Sequence, residues 1–184
     1  MLIAISGSQG SGKSTVIAHL DYSIVTRKTS RSILADWNVS LSQVNNDREL
    51  TVKFQEEILK RKLMDDSVGL NTPDVYITER TPIDLATYAI VALGKDNEYS
   101  EWLDDYCGRC IVATIEYYMH TFYLTAGHFQ PVNDGVRAVN QFYSRMVDLT
   151  MQDLYRRSVS VDFIDFADLK ARVDFIDRTI DNKN

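Results

Sequence analysis

The sequence predicts an α/β fold with a parallel sheet, on three observations. An apolar, β-branched run at the N-terminus leads directly into a glycine-rich turn and then a helix. Four more strand-like runs follow it. Segments of helical pattern separate these runs, the alternation that covers both faces of a parallel sheet. The 184 residues suffice for one well-cored domain and are too few for two, so a single domain over residues 1–184 is expected.

Strand one is read at Leu2–Ser6, and Thr15-Val16-Ile17-Ala18-His19-Leu20 continues as a helix after the turn. Strand two is placed at Tyr22–Thr26 and strand three at Val75–Thr78, set off by Thr72-Pro73-Asp74. Strand four follows at Thr121–Leu124 and strand five at Ser160–Ile164. All are rich in β-branched and aromatic residues, as strands buried on both faces should be. Asp47 to Asp66 reads as a helix with Asp47 as N-cap and Leu50, Phe54, Ile58 and Leu59 on one stripe. Thr81-Pro82 opens another helix with proline in its first turn, and Gly94 stops it. Longer helices are expected from Glu98 to about His120 and from Val139 to Arg157, and Ala167–Ile180 closes the chain. Two segments read as loops at the carboxyl ends of strands, where open parallel sheets bind ligands: Arg27–Ser32 and Gly127–Val136.

The glycine-rich turn is G-x-x-x-x-G-K-[ST], spelled Gly7, Ser8, Gln9, Gly10, Ser11, Gly12, Lys13, Ser14, Thr15. Glycines let the backbone curl so that successive N–H groups face phosphate oxygens, the lysine reaches the β/γ-phosphates, and the hydroxyl of Ser14 can ligate Mg²⁺. A strand before it and a helix after it supply the context that separates this motif from a chance turn. Binding of a nucleoside triphosphate, ATP with Mg²⁺, is therefore expected.

Composition narrows the setting. Hydrophobic residues make up 45% and charged residues 25%, as in ordinary globular proteins. The net charge of −6 argues against a broad grip on duplex DNA while leaving room for a local basic cleft. No long apolar run and no charged leader is present, and the motif begins at residue 7, so a cytoplasmic protein without membrane contact is expected. Cys107 and Cys110 form a lone C-x-x-C without the further ligands zinc needs, and read as buried or half-buried free thiols. No motif fixes the oligomeric state, and a dimer is compatible with all of it.

Three further constellations carry chemistry. Glu79 and Arg80 stand at the tip of strand three, next to the phosphate loop if strands one and three are neighbours. A carboxylate there holds Mg²⁺ or takes a proton from an acceptor hydroxyl, and Arg80 neutralises phosphoryl charge; the alternative is a surface ion pair. Arg27, Lys28 and Arg31 follow strand two and suit an anionic acceptor, or are simply a solvated charged loop. Asp134 and Arg137 lie in the loop after strand four, with Arg145 about two helical turns further on. Such a segment closes over ATP and excludes water from the transferring phosphate, or is an ordinary turn. Gln55 beside Phe54 can read a base by paired hydrogen bonds, although core packing of Phe54 with Gln55 in solvent is the commoner arrangement.

In this order the motifs resemble the P-loop kinases of nucleosides and nucleoside monophosphates. Thr26-Arg27 and Glu79-Arg80-Thr81 are similar to the Thr-Arg and Asp/Glu-Arg elements of thymidylate and deoxynucleoside kinases. Asp134-Gly135-x-Arg137 before a long helix resembles the ribosylnicotinamide kinase domain and relatives labelled AAA-type ATPases, small proteins common in bacteriophages. The resemblance implies a three-layer fold with a five-stranded parallel sheet in the order 2-3-1-4-5. It also implies an acceptor region around residues 28–66, a lid around residues 127–145, and ATP-dependent transfer to a nucleotide or nucleoside. Transfer to a (deoxy)nucleoside monophosphate is the leading expectation. The alternatives are transfer to a modified base such as hydroxymethyluracil or an end in DNA, and an ATPase switch that binds a protein partner. A phage-encoded chain would work in the host cytoplasm. The sequence departs from the deoxynucleoside kinase pattern after strand two, where Thr26-Arg27-Lys28 replaces the acidic base and Asp36 is the nearest carboxylate.

Overall fold

The computed structural model describes residues 1–25, 29–70, 72–128 and 140–182. Its strands are β1 (Leu2–Ser6), β2 (Ser23–Val25), β3 (Tyr76–Glu79), β4 (His120–Leu124) and β5 (Asp162–Ile164). They form one sheet in the order β2-β3-β1-β4-β5, and every neighbouring pair is parallel. Parallel pairing needs a crossover between strands, and the helices supply it. These are α1 (Lys13–Ile17), α2 (Thr29–Trp37), α3 (Leu41–Asn46), α4 (Arg48–Asp66), α5 (Pro82–Leu93), α6 (Ser100–Tyr117), α7 (Gln141–Ser158) and α8 (Leu169–Asp181).

Side-chain alternation along the strands divides the core. Ile3, Ile5, Ile77, Phe122 and Ile164 face α1 and α8, meeting Val16, Ile176 and Ile180. On the opposite face Tyr123 packs with Ile83 of α5 and with Val147, Met151 and Tyr155 of α7, a stripe at helical spacing. A third cluster lies among α2 to α6, centred on Phe54, Leu85, Leu103 and Tyr106. There Trp37 meets Phe54 edge-on at 6.2 Å, and Trp102 stacks on Tyr106 at 4.8 Å while its Nε1 donates to Glu56.

Local signals account for the helix starts. Ser40 and Gln43 form a capping box on α3, Asp47 caps α4, and Thr81 with Asp84 forms a capping box on α5 behind Pro82. Several expectations need correction. The helix after the glycine-rich turn ends at Ile17, short of Leu20. Thr29–Ser32, read as loop, is the first turn of α2, and α3 was not anticipated. The helix expected to reach about His120 stops at Tyr117, and His120 begins β4 instead. Among the described residues no helix is long and apolar enough to cross a membrane.

Candidate functional site

The central strand β1 delivers the glycine-rich loop to the carboxyl edge of the sheet, between β3 and β4. Gly7 holds φ at +140°, and a Cβ there would run into the carbonyl oxygen of Leu124 and Oγ of Ser11. Gly12, at φ +89°, enters α1 with no side-chain cap, leaving the first-turn amides open to an outside acceptor. Lys13 is buried, and its Nζ donates to the carbonyls of Gly7 at 2.8 Å and Ser8 at 2.9 Å, with Ser11 Oγ at 3.4 Å. Ser14 and Thr15 are exposed at the start of α1, while Gln9 and Gly10 form the outer turn.

Two charged residues distant in sequence grip this loop. Ser8 Oγ donates to Asp148 of α7 at 2.8 Å. Arg172 of α8 donates from Nη1 to the Ser11 carbonyl at 2.7 Å and from Nε to the Phe166 carbonyl at 2.5 Å. Burial pulls the Arg172 guanidinium below its ordinary value, with Asp165 acting against it.

At β3 the register pairs Ile5 with Glu79, which sets the carboxylate one strand away from the loop. Among the described residues no side chain forms a hydrogen bond or ion pair with Glu79. Arg80 then turns the chain with φ at +72°, its N–H donating to the Ile5 carbonyl at 3.0 Å. A left-handed backbone costs a non-glycine residue about 1–2 kcal/mol, and the hydrogen bond and α5 capping box hold it there. The Arg80 guanidinium lies over the Tyr88 ring at 5.4 Å and 3.4 Å from Asp84. Burial works to lower its pKa, but Tyr88, Asp84 and Glu79 together raise it, so the charge is secure. Asp84 itself is committed: Ser6 Oγ, the Thr81 N–H and the Tyr155 hydroxyl all donate to it at 2.8 Å. Among the described residues Glu79 is thus the carboxylate at this strand tip with its lone pairs available.

The remaining candidates are spread more widely. Arg31 is exposed in the first turn of α2. Asp36 accepts from Arg61 at 2.6 Å on the outer side of α2. Gln55 is buried rather than in solvent; the Tyr106 hydroxyl donates to its main-chain carbonyl at 2.9 Å and lies 3.4 Å from its Oε1, and Phe54 is core. Arg145 lies on α7, 3.9 Å from Asp148. Arg27, Lys28, Asp134 and Arg137 lie outside the described residues. Cys107 and Cys110 are free thiols on α6, raised by burial to about 11 and about 12. Among the described residues no cluster of His, Cys, Asp or Glu forms a metal cage.

Sequence reasoning did not single out Lys62, Asp66, Asp148 or Arg172. Lys62 Nζ bonds Asp66 at 2.8 Å and Thr78 Oγ1 at 2.7 Å, and the Tyr118 hydroxyl donates to the same carboxylate, all beneath β3. The available signal was a charge on an apolar stripe. Asp148 precedes Met151 and Tyr155 at i+3 and i+7, and Arg172 precedes Ile176 and Ile180 at i+4 and i+8.

The loop, the strand order and the carboxyl-edge site define a P-loop nucleotide-binding fold. Residues 2–172 match the AAA domain family, to which the chain belongs. Comparison with curated proteins finds no match. Among solved structures, deoxyadenosine kinase from M. mycoides with bound dATP superposes with a TM-score of 0.73 at 19% identity, covering 98% of this chain and all of the other. The same enzyme with bound dCTP gives 0.71 at 18%, covering 99% of this chain and all of the other. NadR in complex with NR gives 0.67 at 16%, covering 90% of this chain and 45% of that one. The likeness establishes a shared fold.

Proposed function

We propose that this chain transfers the γ-phosphoryl group of ATP to a hydroxyl of a nucleoside or nucleotide. The carrying observation is the Glu79 carboxylate, one strand from the P-loop, without a side-chain hydrogen bond among the described residues and beside a charge-secured Arg80. A P-loop alone serves switches and motors equally; an available carboxylate at the neighbouring strand tip suits an acceptor hydroxyl. The whole-length likeness to nucleoside kinases supports the same reading.

Lys13 and the loop amides hold the β- and γ-phosphates, where Lys13 exchanges its carbonyl partners for phosphate oxygens. The donors present fit Mg²⁺, since Ser14 offers an exposed hydroxyl and Glu79 an available carboxylate, both hard oxygens. Bound with the triphosphate, the ion supplies charge neutralisation. As the acceptor oxygen bonds to the γ-phosphorus, the bond to ADP breaks, and Glu79 either supports the ion or takes the hydroxyl proton. Arg80 and, from α7, Arg145 offset charge on the transferring group, while Arg137 with Asp134, in the expected lid, closes over the donor and keeps water out. Residues 28–66 hold the acceptor in this reading. The cations Arg27, Lys28 and Arg31 favour an acceptor that already carries phosphate, which makes a (deoxy)nucleoside monophosphate the leading reading and a free nucleoside the second.

Incubation with γ-labelled ATP and a panel of nucleosides, monophosphates and oligonucleotides tests this. Label is expected on one small acceptor, and Lys13→Ala is expected to abolish the transfer. Release of inorganic phosphate at one rate across the whole panel would overturn the kinase reading.

A further inference from the structure

Ser8, the second residue of the P-loop, is held by a carboxylate 140 residues away in the chain. Asp148 is 1% exposed, and its oxygens are filled. Ser8 Oγ and the Tyr123 hydroxyl each donate to Oδ1 at 2.8 Å, Gln152 Nε2 donates to Oδ2 at 2.8 Å, and Arg145 Nη1 lies 3.9 Å from Oδ2. Anchoring α7 to the sheet does not call for this arrangement, because Val147, Met151 and Tyr155 already bury an apolar stripe there. A buried negative charge beside a phosphate site also opposes phosphate electrostatically. Its benefit has to be geometric.

The geometry supplies one. The Ser8 carbonyl accepts from Lys13 Nζ at 2.9 Å and, at a longer 3.4 Å, from the Ser11 N–H, so Ser8 is held by two short bonds, Lys13 on its main chain and Asp148 on its side chain. When Lys13 turns to a phosphate it leaves that carbonyl to the long Ser11 bond within the loop. Among the described residues the bond to Asp148 is then the one short contact that ties Ser8, and the amides that follow it, to the rest of the fold. Arg145, bound to the same carboxylate and 66% exposed, is carried by the same joint. We propose that Asp148 is a positioning residue for the triphosphate, fixing the P-loop through Ser8 and holding the Arg145 cation near it on α7. The inference rests on the P-loop as a triphosphate site and is independent of whether a phosphoryl group is transferred.

Titration of the full chain with a fluorescent ATP analogue, alongside thermal melts, tests it. Losing a hydrogen bond to a buried charged group predicts about tenfold weaker binding for Ser8→Ala and for Asp148→Ala. The double variant is expected to bind no more weakly than Asp148→Ala, because both changes break one bond. Asp148→Asn, whose amide oxygen still accepts from Ser8, is expected to recover most of the loss. Folded variants that bind like the wild type, or losses that simply add, overturn the inference. If Asp148→Ala fails to fold, Ser8→Ala and Asp148→Asn carry the comparison, and wild-type affinity in Ser8→Ala overturns it. A wild-type chain that binds no triphosphate overturns the P-loop reading as well, so the two failures are distinguishable.

Discussion

Gly7 carries two constraints at once. Its backbone occupies a left-handed region, and its α-carbon sits against the Leu124 carbonyl, where β4 ends beside the loop. Carbonyl oxygens are fixed by the sheet and cannot step aside as a flexible side chain can. Gly7→Ala is therefore expected to displace the start of the P-loop, lowering stability by about 1–3 kcal/mol. Nucleotide affinity should fall with it. Urea unfolding and nucleotide titration check this, and an unchanged midpoint would mean that the loop can move away from β4. The same residue shows why this part of the site was legible in the sequence. The P-loop is a local device, so its glycines, lysine and hydroxyl must stand at fixed spacing. Asp148 and Arg172 meet the loop across the fold, at Ser8 and Ser11; their place on an apolar stripe marks them as buried, but no spacing ties them to the loop.

Among the elements, α4 binds to the sheet through charge as well as apolar contact. Lys62 is pulled down by burial and held up by Asp66, and the pair is completed by Thr78 and Tyr118. Lys62→Met would leave the Asp66 carboxylate buried without its cation, an error that costs about 3–5 kcal/mol. Denaturant unfolding should show that loss, and adding Asp66→Asn should return part of it; a loss under about 1 kcal/mol would mean that water reaches the carboxylate. The strands were readable because buried parallel strands are continuous apolar runs, and the strand order came from resemblance. The segment containing α2 and α3 was harder. Its first turn is Thr29-Ser30-Arg31-Ser32, polar enough to pass for loop, and α2 buries only Ile33 fully. Ser40 with Gln43 was a legible capping box, but the six-residue helix behind it has too little periodicity to be seen without its packing partners. At Tyr117 the apolar pattern runs on into β4 unbroken, so sequence periodicity alone could not separate the end of α6 from the strand.

The whole molecule keeps many weak acids protonated by enclosing them. Burial raises Cys107 from 9.0 to about 11, and burial with Cys107 nearby raises Cys110 to about 12. Tyr22 rises from 10.0 to about 12 through burial and the charges of Asp177 and Asp181, and Tyr118 and Tyr155 move upward in the same way. Each group binds its proton more tightly folded than unfolded. Its contribution is fully present below the unfolded value and is lost as pH rises through the folded one. Stability should therefore hold steady up to about pH 9 and fall steadily toward about pH 12. Urea midpoints measured across that range check this, and a midpoint that stays level through about pH 11 would show the groups titrating as they do in solvent.

The packing of the α2–α6 layer has an optical consequence. Both tryptophans of the chain, Trp37 and Trp102, sit in that layer, one against Phe54 and one stacked on Tyr106. Neither belongs to the sheet, the P-loop or α7. Indole emission therefore reports on the helical cap and is blind to events confined to the phosphate loop, so the molecule carries a built-in dye on its proposed acceptor side and none on its donor side.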